Sequence, residues 1–461
     1  MLLKKVRAKF SPVSENALSD AINNRDNDDD SDIDDDPDRN RPIHKSQEID
    51  VLPPDQKTDN PKDKSYKFVN PVRISKDSLF EKLQSLNEKQ RQIVMHVYKC
   101  FTSNNLPIRI FLSGSAGVGK TRVINCLYQL ITSHYDNMPN GNPESLKVLV
   151  CAPSGMAAFL INGTTIHRAF ALQVTQNQSN TGLSDDVANT IRCKLRDVKL
   201  IIVDEVSMVG SNTFLKMDMR SRQIFGVNRS FGGKSVIIVG DLNQLNPVKD
   251  VPIYKPPTKS NANIFNSNPL WDEFKYFELT EIMRQKDDLE FTIALNNLAA
   301  GRMTQEDIAL IKSRTVKDPS EVPDEAIRLF YKRVNVDSFN ERKIANFPGE
   351  LYISTAKDKI IENKATSSKR EKENLIHIQN RPPTDTGGLV YELQLKLGIK
   401  YMIISNLDVE DGLVNGATGV LRHITFDSSN NVINCLARIL CGESWKNSCQ
   451  GTTFSKLYKR K

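Results

Sequence analysis

The sequence predicts an α/β fold organised around a parallel sheet, with ligand groups collected at the carboxyl ends of its strands. Three observations carry that expectation. Short apolar runs alternate with amphipathic segments from about residue 78 onward, and the runs end at Gly, Ser or acidic residues. One of them, "FLSG", opens directly into "GSAGVGKT", Gly114 to Thr121, and an amphipathic segment follows. Strands alternating with helices favour a parallel sheet, and open sheets of that kind bind ligands beyond their strands' carboxyl ends.

Residues 1–77 are expected to form a disordered, acidic N-terminal tail. They lack sustained hydrophobic periodicity, and Asp26, Asp28 to Asp30, Asp32, Asp34 to Asp36 and Asp38 make a run that cannot pack. Order is expected from Ser78. In "SLFEKLQSLNEKQRQIVMHVYKCF" the residues Leu79, Leu83, Leu86, Ile93, Val94 and Val97 fall at roughly helical spacing, and "SLN" breaks the run where a second helix starts. "IRIFLSG", "KVLVCAPSG", "VKLIIVDEVS", "KSVIIVGD" and "AIRLFYK" each read as a buried parallel strand. From about residue 385 the texture changes to short β-like runs, "LQLKLGIKYMII", "GATGVLRHITF" and "NVINCLARIL", separated by turn signals.

Composition narrows the function classes. The chain has 461 residues, room for two or three domains, and a hydrophobic share of 39%. No apolar window approaches the roughly 18 residues that a membrane span needs, so no membrane association is expected. The seven scattered cysteines include no C-x-x-C pair, which favours a reduced, intracellular compartment over a disulfide framework or a zinc site. Set apart from the acidic run, the rest of the chain is distinctly basic around a net charge of +7. That balance suits a polyanion partner, although many soluble proteins are mildly basic.

The motifs say more. Gly114, Ser115, Ala116, Gly117, Val118, Gly119, Lys120 and Thr121 match G-x-x-x-x-G-K-[ST] completely, between a strand and a helix. Glycines let backbone N–H groups wrap phosphates, Lys120 reaches the β and γ phosphates, and Thr121 offers its hydroxyl to Mg²⁺. ATP and Mg²⁺ are therefore the expected ligands. "LIIVDEVSMV" ends a strand in Asp204 and Glu205. Asp204 is the expected metal residue and Glu205 the expected general base for an attacking water. "VIIVGDLNQLNPV" places Gln244 where it could bond a γ-phosphate, or equally serve an ordinary polar turn. "LTEIMRQ" brings Arg284, a candidate transition-state cation that also fits an exposed helical arginine.

In this order the motifs resemble the Pif-type (petite integration frequency) DNA helicases of superfamily 1, relatives of the RecD helicases. The likeness spans residues 78 to about 425. "LNEKQRQIV" resembles the family's adenine-reading segment, with Gln90 as reader. "CAPSGMAAFLINGTTIHRAF" resembles its paired single-strand-binding motifs, which implies DNA contacts for Ser154, Gly155, Thr165 and His167. Without the family, His167 fits a hydrogen-bonded turn equally well, and Phe159 and Phe170 read as core. "IRLFYKRVNVDSFNE" and "LKLGIKYMIISNLDVEDGLVNGATGV" resemble second-domain segments. The resemblance implies tandem RecA-like domains, the first over 78–283 and a partial second over 284–461 with a β-rich insertion. It also implies a monomeric motor running 5′ to 3′ on single-stranded DNA and at DNA junctions, in the nucleus or mitochondrion, serving replication, repair, recombination or telomere maintenance.

Two family motifs, "T-x-H-K-S-Q-G" and "A-L-S-R", are not found after Gly419. "IHKSQ" at Ile43 to Gln47 lies on the wrong side of the phosphate loop and reads as coincidence. The expectation is therefore a helicase lineage whose second domain is incomplete, with low DNA-stimulated turnover. Two alternatives stay open: a nucleotide- and DNA-binding relative without productive unwinding, and the helicase portion of a rolling-circle transposon. A phosphate-loop ATPase acting on protein would leave "TTIHRAF" and "LNEKQ" unexplained.

Overall fold

The computed structural model describes residues 68, 70–139, 141–172, 182–257, 268–281, 283, 289–318, 321–323, 326–356, 390–404, 406–409, 412–426, 428, 432–439 and 453–454. The acidic run, "IHKSQ" and Arg284 lie outside them. The described residues fall into two units. One runs to Pro153 and includes Ile161–Thr292 and Ala299–Gly301; the other comprises Ser154–Leu160, Ile293–Leu298 and the chain from Arg302.

The first unit is held together from residue 70, ahead of the boundary expected at Ser78. The Tyr128 hydroxyl donates to Asn70 Oδ1 at 2.6 Å, Gln129 Nε2 donates to the Val72 carbonyl at 2.9 Å, and Arg73 pairs with Asp136 at 3.2 Å. Helix α1 (Lys76–Gln84) starts at Ser75, whose side chain accepts the Ser78 N–H, and buries Leu79 and Leu83. Helix α2 (Glu88–Thr102) starts at a capping box in which Asn87 and Gln90 satisfy each other's backbone N–H groups. The break expected at "SLN" therefore has a specific cause: an asparagine followed three residues later by a glutamine.

Strand β1 (Arg109–Gly114) leads into helix α3 (Lys120–Asp136), and β2 (Val148–Ala152) into helix α4 (Gly155–Leu160), which groups with the second unit. Strand β3 (Thr164–Thr165), the short helix α5 (Ile166–Ala169) and helix α6 (Asp185–Leu195) follow. Next come β4 (Leu200–Val203), a 3-10 turn at Val206–Met208, helix α7 (Ser211–Phe225) and β5 (Ser235–Gly240). Helix α8 (Pro269–Asp272) and β6 (Lys275–Leu279) complete the layer. The sheet is six-stranded and wholly parallel, in the order β3-β2-β4-β5-β1-β6. Strands β2, β4 and β5 are buried along their whole length, which is why their sequences are continuous apolar runs rather than alternating ones. Phe111, Phe214, Phe231 and Phe274 belong to the main core cluster. Phe170 is fully buried in the same cluster, as expected of a core residue.

Because β5 lies between β1 and β4, the carboxyl ends of these strands stand side by side. Ser113 pairs with Gly240, and Val203 with Ile238. That register brings the turns after β1, β4 and β5, which begin at Gly114, Asp204 and Asp241, to one edge of the sheet.

The second unit contains helix α9 (Leu289–Ala299) in part, α10 (Gln305–Ser313) and α11 (Arg333–Asn346). Its sheets are antiparallel among the described residues. Strand β7 (Tyr352–Thr355) pairs with β8 (Glu392–Leu395), while β9 (Lys400–Met402), β10 (Thr418–Phe426), β11 (Val432–Ile439) and β12 (Thr453–Phe454) form the order β12-β11-β10-β9. Leu395, Leu421, Ile424 and Cys435 fill the small core. Lys396 is buried and donates to the carbonyls of Phe347 at 2.7 Å and Ala345 at 3.5 Å, placing a cation at the C-terminal end of α11.

One expected strand is corrected. "AIRLFYK" forms no strand: Ile327, Leu329 and Tyr331 are 86%, 91% and 100% exposed. An apolar run becomes a buried strand only when neighbouring strands accept its backbone, and no strand pairs with it among the described residues.

Candidate active site

The backbone of residues 114–120 forms a turn suited to an anion. Gly117 and Gly119 sit at φ 82° and 81°, a region in which a Cβ is strained. Gly119 precedes α3 without offering a side-chain cap, and the first turn of that helix contains no acidic residue. The N–H groups at its start are thus left for an anion, with the helix dipole favouring negative charge there. Gly114 is needed for packing, since a Cβ would stand 2.6 Å from Val118 Cγ2 and 3.1 Å from the Leu279 carbonyl oxygen. Lys120 folds back over the loop, donating to the Gly114 and Ser115 carbonyls at 2.9 and 3.0 Å. Thr121 is exposed in the first turn of α3.

Across β5, Asp204 is 7% exposed, and its Oδ1 accepts the Glu205 N–H at 2.9 Å. Burial pushes its carboxyl up to about 6; the Glu205 N–H and the Lys120 charge pull the other way, and the Glu205 carboxylate adds to the rise. The Lys120 ammonium and Asp204 therefore act on one another across the sheet edge. The burial of this carboxylate outweighs the Lys120 charge that acts on it. Together with the Thr121 hydroxyl the carboxylate offers an all-oxygen donor set, which fits a hard dication such as Mg²⁺. Glu205 is half-buried and left-handed at φ 49°, a conformation rare for a residue with a side chain. Strain of that kind persists where the surroundings enforce it. Here they include Gly240, whose missing Cβ would stand only 2.9 Å from the Val206 nitrogen.

Beyond β5 the Asp241 carboxylate accepts the Asn243 N–H at 3.0 Å, and its carbonyl accepts the Gln244 N–H at 3.0 Å. Gln244 is half-buried on this turn. Asp250 closes the loop: its carboxylate accepts the backbone N–H groups of Asn212 at 3.3 Å and Thr213 at 3.2 Å, and so caps α7. The Asn212 amide adds a bond at 2.7 Å. Gly210 makes room for this cap, since a Cβ would lie 2.1 Å from Asp250 Cγ.

Gln90 occupies a place its spacing alone did not reveal. It is completely buried, donates from Nε2 to the Val118 carbonyl at 2.9 Å, and accepts the Asn87 N–H at 3.1 Å. The same junction reaches the chain after β6. The Met283 N–H donates to the Gly117 carbonyl at 2.9 Å, and Lys89 Nζ to Thr280 Oγ1 at 2.6 Å. Asn87 and Met283 are thus residues of the site that motif reading passed over. The N-x-x-Q pattern of a capping box was the available signal for Asn87; none pointed to Met283.

The polar points expected to meet DNA occupy helix starts. Ser154 Oγ accepts the Ala157 N–H at 3.2 Å ahead of α4, and Gly155 is buried. Thr165 Oγ1 accepts the Arg168 N–H at 3.3 Å and caps α5. His167 is half-buried; burial and then the Lys216 charge hold its pKa below the usual imidazole value.

Comparison with known proteins matches the PIF1-like helicase family to residues 85–307 and the 2B domain of the DNA helicase Pif1 to residues 386–423. The chain is 29% identical to the ATP-dependent DNA helicase PIF1 of Saccharomyces cerevisiae (strain YJM789) over 323 residues, 67% of this chain and 33% of that protein. It is 30% identical to the ATP-dependent DNA helicase PIF1 of Xenopus laevis over 338 residues, 72% of this chain and 47% of that protein. The chain therefore spans less than half the length of either relative. Among solved structures, the Pif1 helicase of Candida albicans superposes with a TM-score of 0.54 at 24% identity, covering 80% of this chain and 78% of that one.

Proposed function

Since residues 85–307 belong to the PIF1-like helicase family, we propose that this chain is the ATP-splitting part of an ATP-dependent DNA helicase that tracks 5′ to 3′ along single-stranded DNA. The observation that carries the reading is the convergence at one sheet edge of an uncapped helix start, the Lys120 side chain folded over its loop, and the buried Asp204 carboxyl.

On this reading the N–H groups of residues 115–121 bind the ATP phosphates, and Lys120 leaves its carbonyl partners for the β and γ phosphates. Thr121 and Asp204 would hold Mg²⁺, which when bound neutralises phosphate charge. Glu205, fixed by its turn, accepts the proton of the attacking water. Gln244, on the turn after β5, is assigned to sensing the γ-phosphate. Arg284 follows the segment tied to Gly117 through Met283, which supports its assignment as the transition-state cation.

Ser154, Gly155, Thr165 and His167 are assigned to the DNA path. Ser154 and Gly155 follow β2, Thr165 ends β3 and His167 follows it, which supports this, as does a half-buried imidazole whose pKa is held down by burial. The first RecA-like domain is taken as residues 78–283 and a partial second as 284–461. We further take the motor to be monomeric, to act at DNA junctions, and to work in the nucleus or mitochondrion.

The test is ATP hydrolysis measured against rising oligo(dT) at several salt concentrations. Stimulation that weakens steeply with salt is expected of backbone contacts. Hydrolysis indifferent to DNA would remove the helicase reading while leaving the ATPase.

A further inference from the structure

We infer that Asp250 is a positioning residue for Gln244: it fastens the far end of the Gln244 loop to the helix that follows the Glu205 turn. The inference rests on the γ-phosphate role proposed above for Gln244. Helix α7 is capped from outside itself. Its N-cap position is Gly210, in the extended conformation usual there, and it offers no side chain to the first turn. The Asp250 carboxylate accepts the N–H groups of Asn212 and Thr213 instead, the two that a side chain at 210 would accept. It also takes the Asn212 amide at 2.7 Å and the Thr213 hydroxyl at 3.2 Å. The two positions are fitted to each other, since a Cβ at 210 would stand 2.3 Å from Asp250 Cβ. A Ser or Asp at 210 would serve the helix alone. A carboxylate brought from another segment must also close a loop, and what it adds is a fixed link between the two segments.

The backbone after Asp250 is tied to the same stretch. Gly210 bridges Pro252, the Ser211 N–H donates to the Val251 carbonyl at 2.9 Å, and Ser211 Oγ donates to the Lys255 carbonyl at 2.6 Å. At the other end of the loop, Gly240 is packed against Val206. Residues 241–249 therefore hang at both ends from 206–213, the continuation of the Glu205 turn. Leu242 packs on the core near the Gly240 end. Beyond it, among the described residues, the loop's own hydrogen bonds are the local ones to Asp241, and Leu245 and Val248 are exposed. The place of Gln244 thus depends on the Asp250 end. With both ends on one support, Gln244 and Glu205 keep a fixed relation when phosphate charge pulls on either.

Exchanging the two residues separates the cap from the tether. Gly210→Asp together with Asp250→Gly gives α7 an N-cap of its own, clears the space for its Cβ, and cuts the carboxylate link to the loop. Thermal melts and steady-state ATP hydrolysis with saturating oligo(dT), both on the full chain, read the two roles. Asp250→Ala should lower melting temperature and kcat together. The exchange should return the melting temperature to near wild type yet leave kcat about 10-fold low, with the KM for ATP within about 2-fold, because a shifted group costs rate rather than binding. In a Gln244→Ala background the exchange should lower kcat no further, since Asp250 acts through that side chain. Wild-type kcat in the exchange variant, or an equal further loss on top of Gln244→Ala, would overturn the inference. If the exchange variant does not fold, Asp250→Asn and Asp250→Ala carry the test, assayed well below their melting temperatures. Asp250→Asn keeps a capping oxygen and should hold kcat within about 3-fold of wild type, while Asp250→Ala should not; equal turnover by the two would overturn the inference. Wild-type hydrolysis by Gln244→Ala would instead remove the γ-phosphate role of Gln244, and this inference with it.

Discussion

Gly240→Ala probes the geometry of the hydrolytic turn without touching a group that bears on chemistry. The added Cβ would meet the Val206 nitrogen at 2.9 Å and Val206 Cγ1 at 3.0 Å. Ordinary carbon contacts begin near 3.4 Å, so the backbone at Val206 must give by roughly half an ångström. Val206 follows Glu205, which is already left-handed, and the turn has little freedom left to absorb the shift. Misplacement of about 1 Å can cost on the order of 100-fold in rate, so half that displacement should lower kcat about 10-fold. Overpacking should also cost about 1–3 kcal/mol of stability. The KM for ATP should hardly move, because Gly114 to Thr121 lie across the sheet edge and keep their contacts. Steady-state hydrolysis with saturating oligo(dT), paired with a thermal melt, reads both effects. A variant with unchanged kcat, or one whose KM rises while kcat stays fixed, would refute the claim that Gly240 holds the Glu205 turn.

Lys120→Ala is expected to remove measurable ATP binding by calorimetry, since the lysine supplies charge that replaces lost phosphate hydration. Asp250→Ala should destabilise the first unit by about 2 kcal/mol in a denaturant titration, because it uncaps α7 and strands the donors of Asn212 and Thr213. Lys396→Met should lower the stability of the second unit by about 1–3 kcal/mol, having left the Ala345 and Phe347 carbonyls without their donor.

What was legible in the sequence follows from how local the determining physics is. Strands β1, β2, β4 and β5 could be read because a parallel sheet covered on both faces demands unbroken apolar runs, and each run ended at a turn residue. The positions of the phosphate loop and the Asp204–Glu205 pair at strand ends were legible for the same reason: each directly follows an apolar run. Strand β6 was passed over, since "KYFEL" mixes Lys275 and Glu278 with Tyr276 and Phe277, as an edge strand can. "AIRLFYK" was misread because burial depends on strands elsewhere in the chain. The placement of Gln90 was hidden in the same way. A capping box is visible in four residues, but its reach to Val118 crosses to another element, as does the approach of Gly240 to Val206.

Glu205→Gln offers the most direct test of the hydrolytic site. The substitution keeps size and hydrogen-bonding reach but removes the base, and it leaves Lys120, Thr121 and Asp204 in place. ATP affinity by calorimetry should stay within about 3-fold of wild type, while single-turnover hydrolysis should fall by about 10²–10⁴, the range of general-base catalysis. Binding and hydrolysis lost together, or hydrolysis at the wild-type rate, would contradict the assignment of Glu205 as the base of an ATP-splitting site.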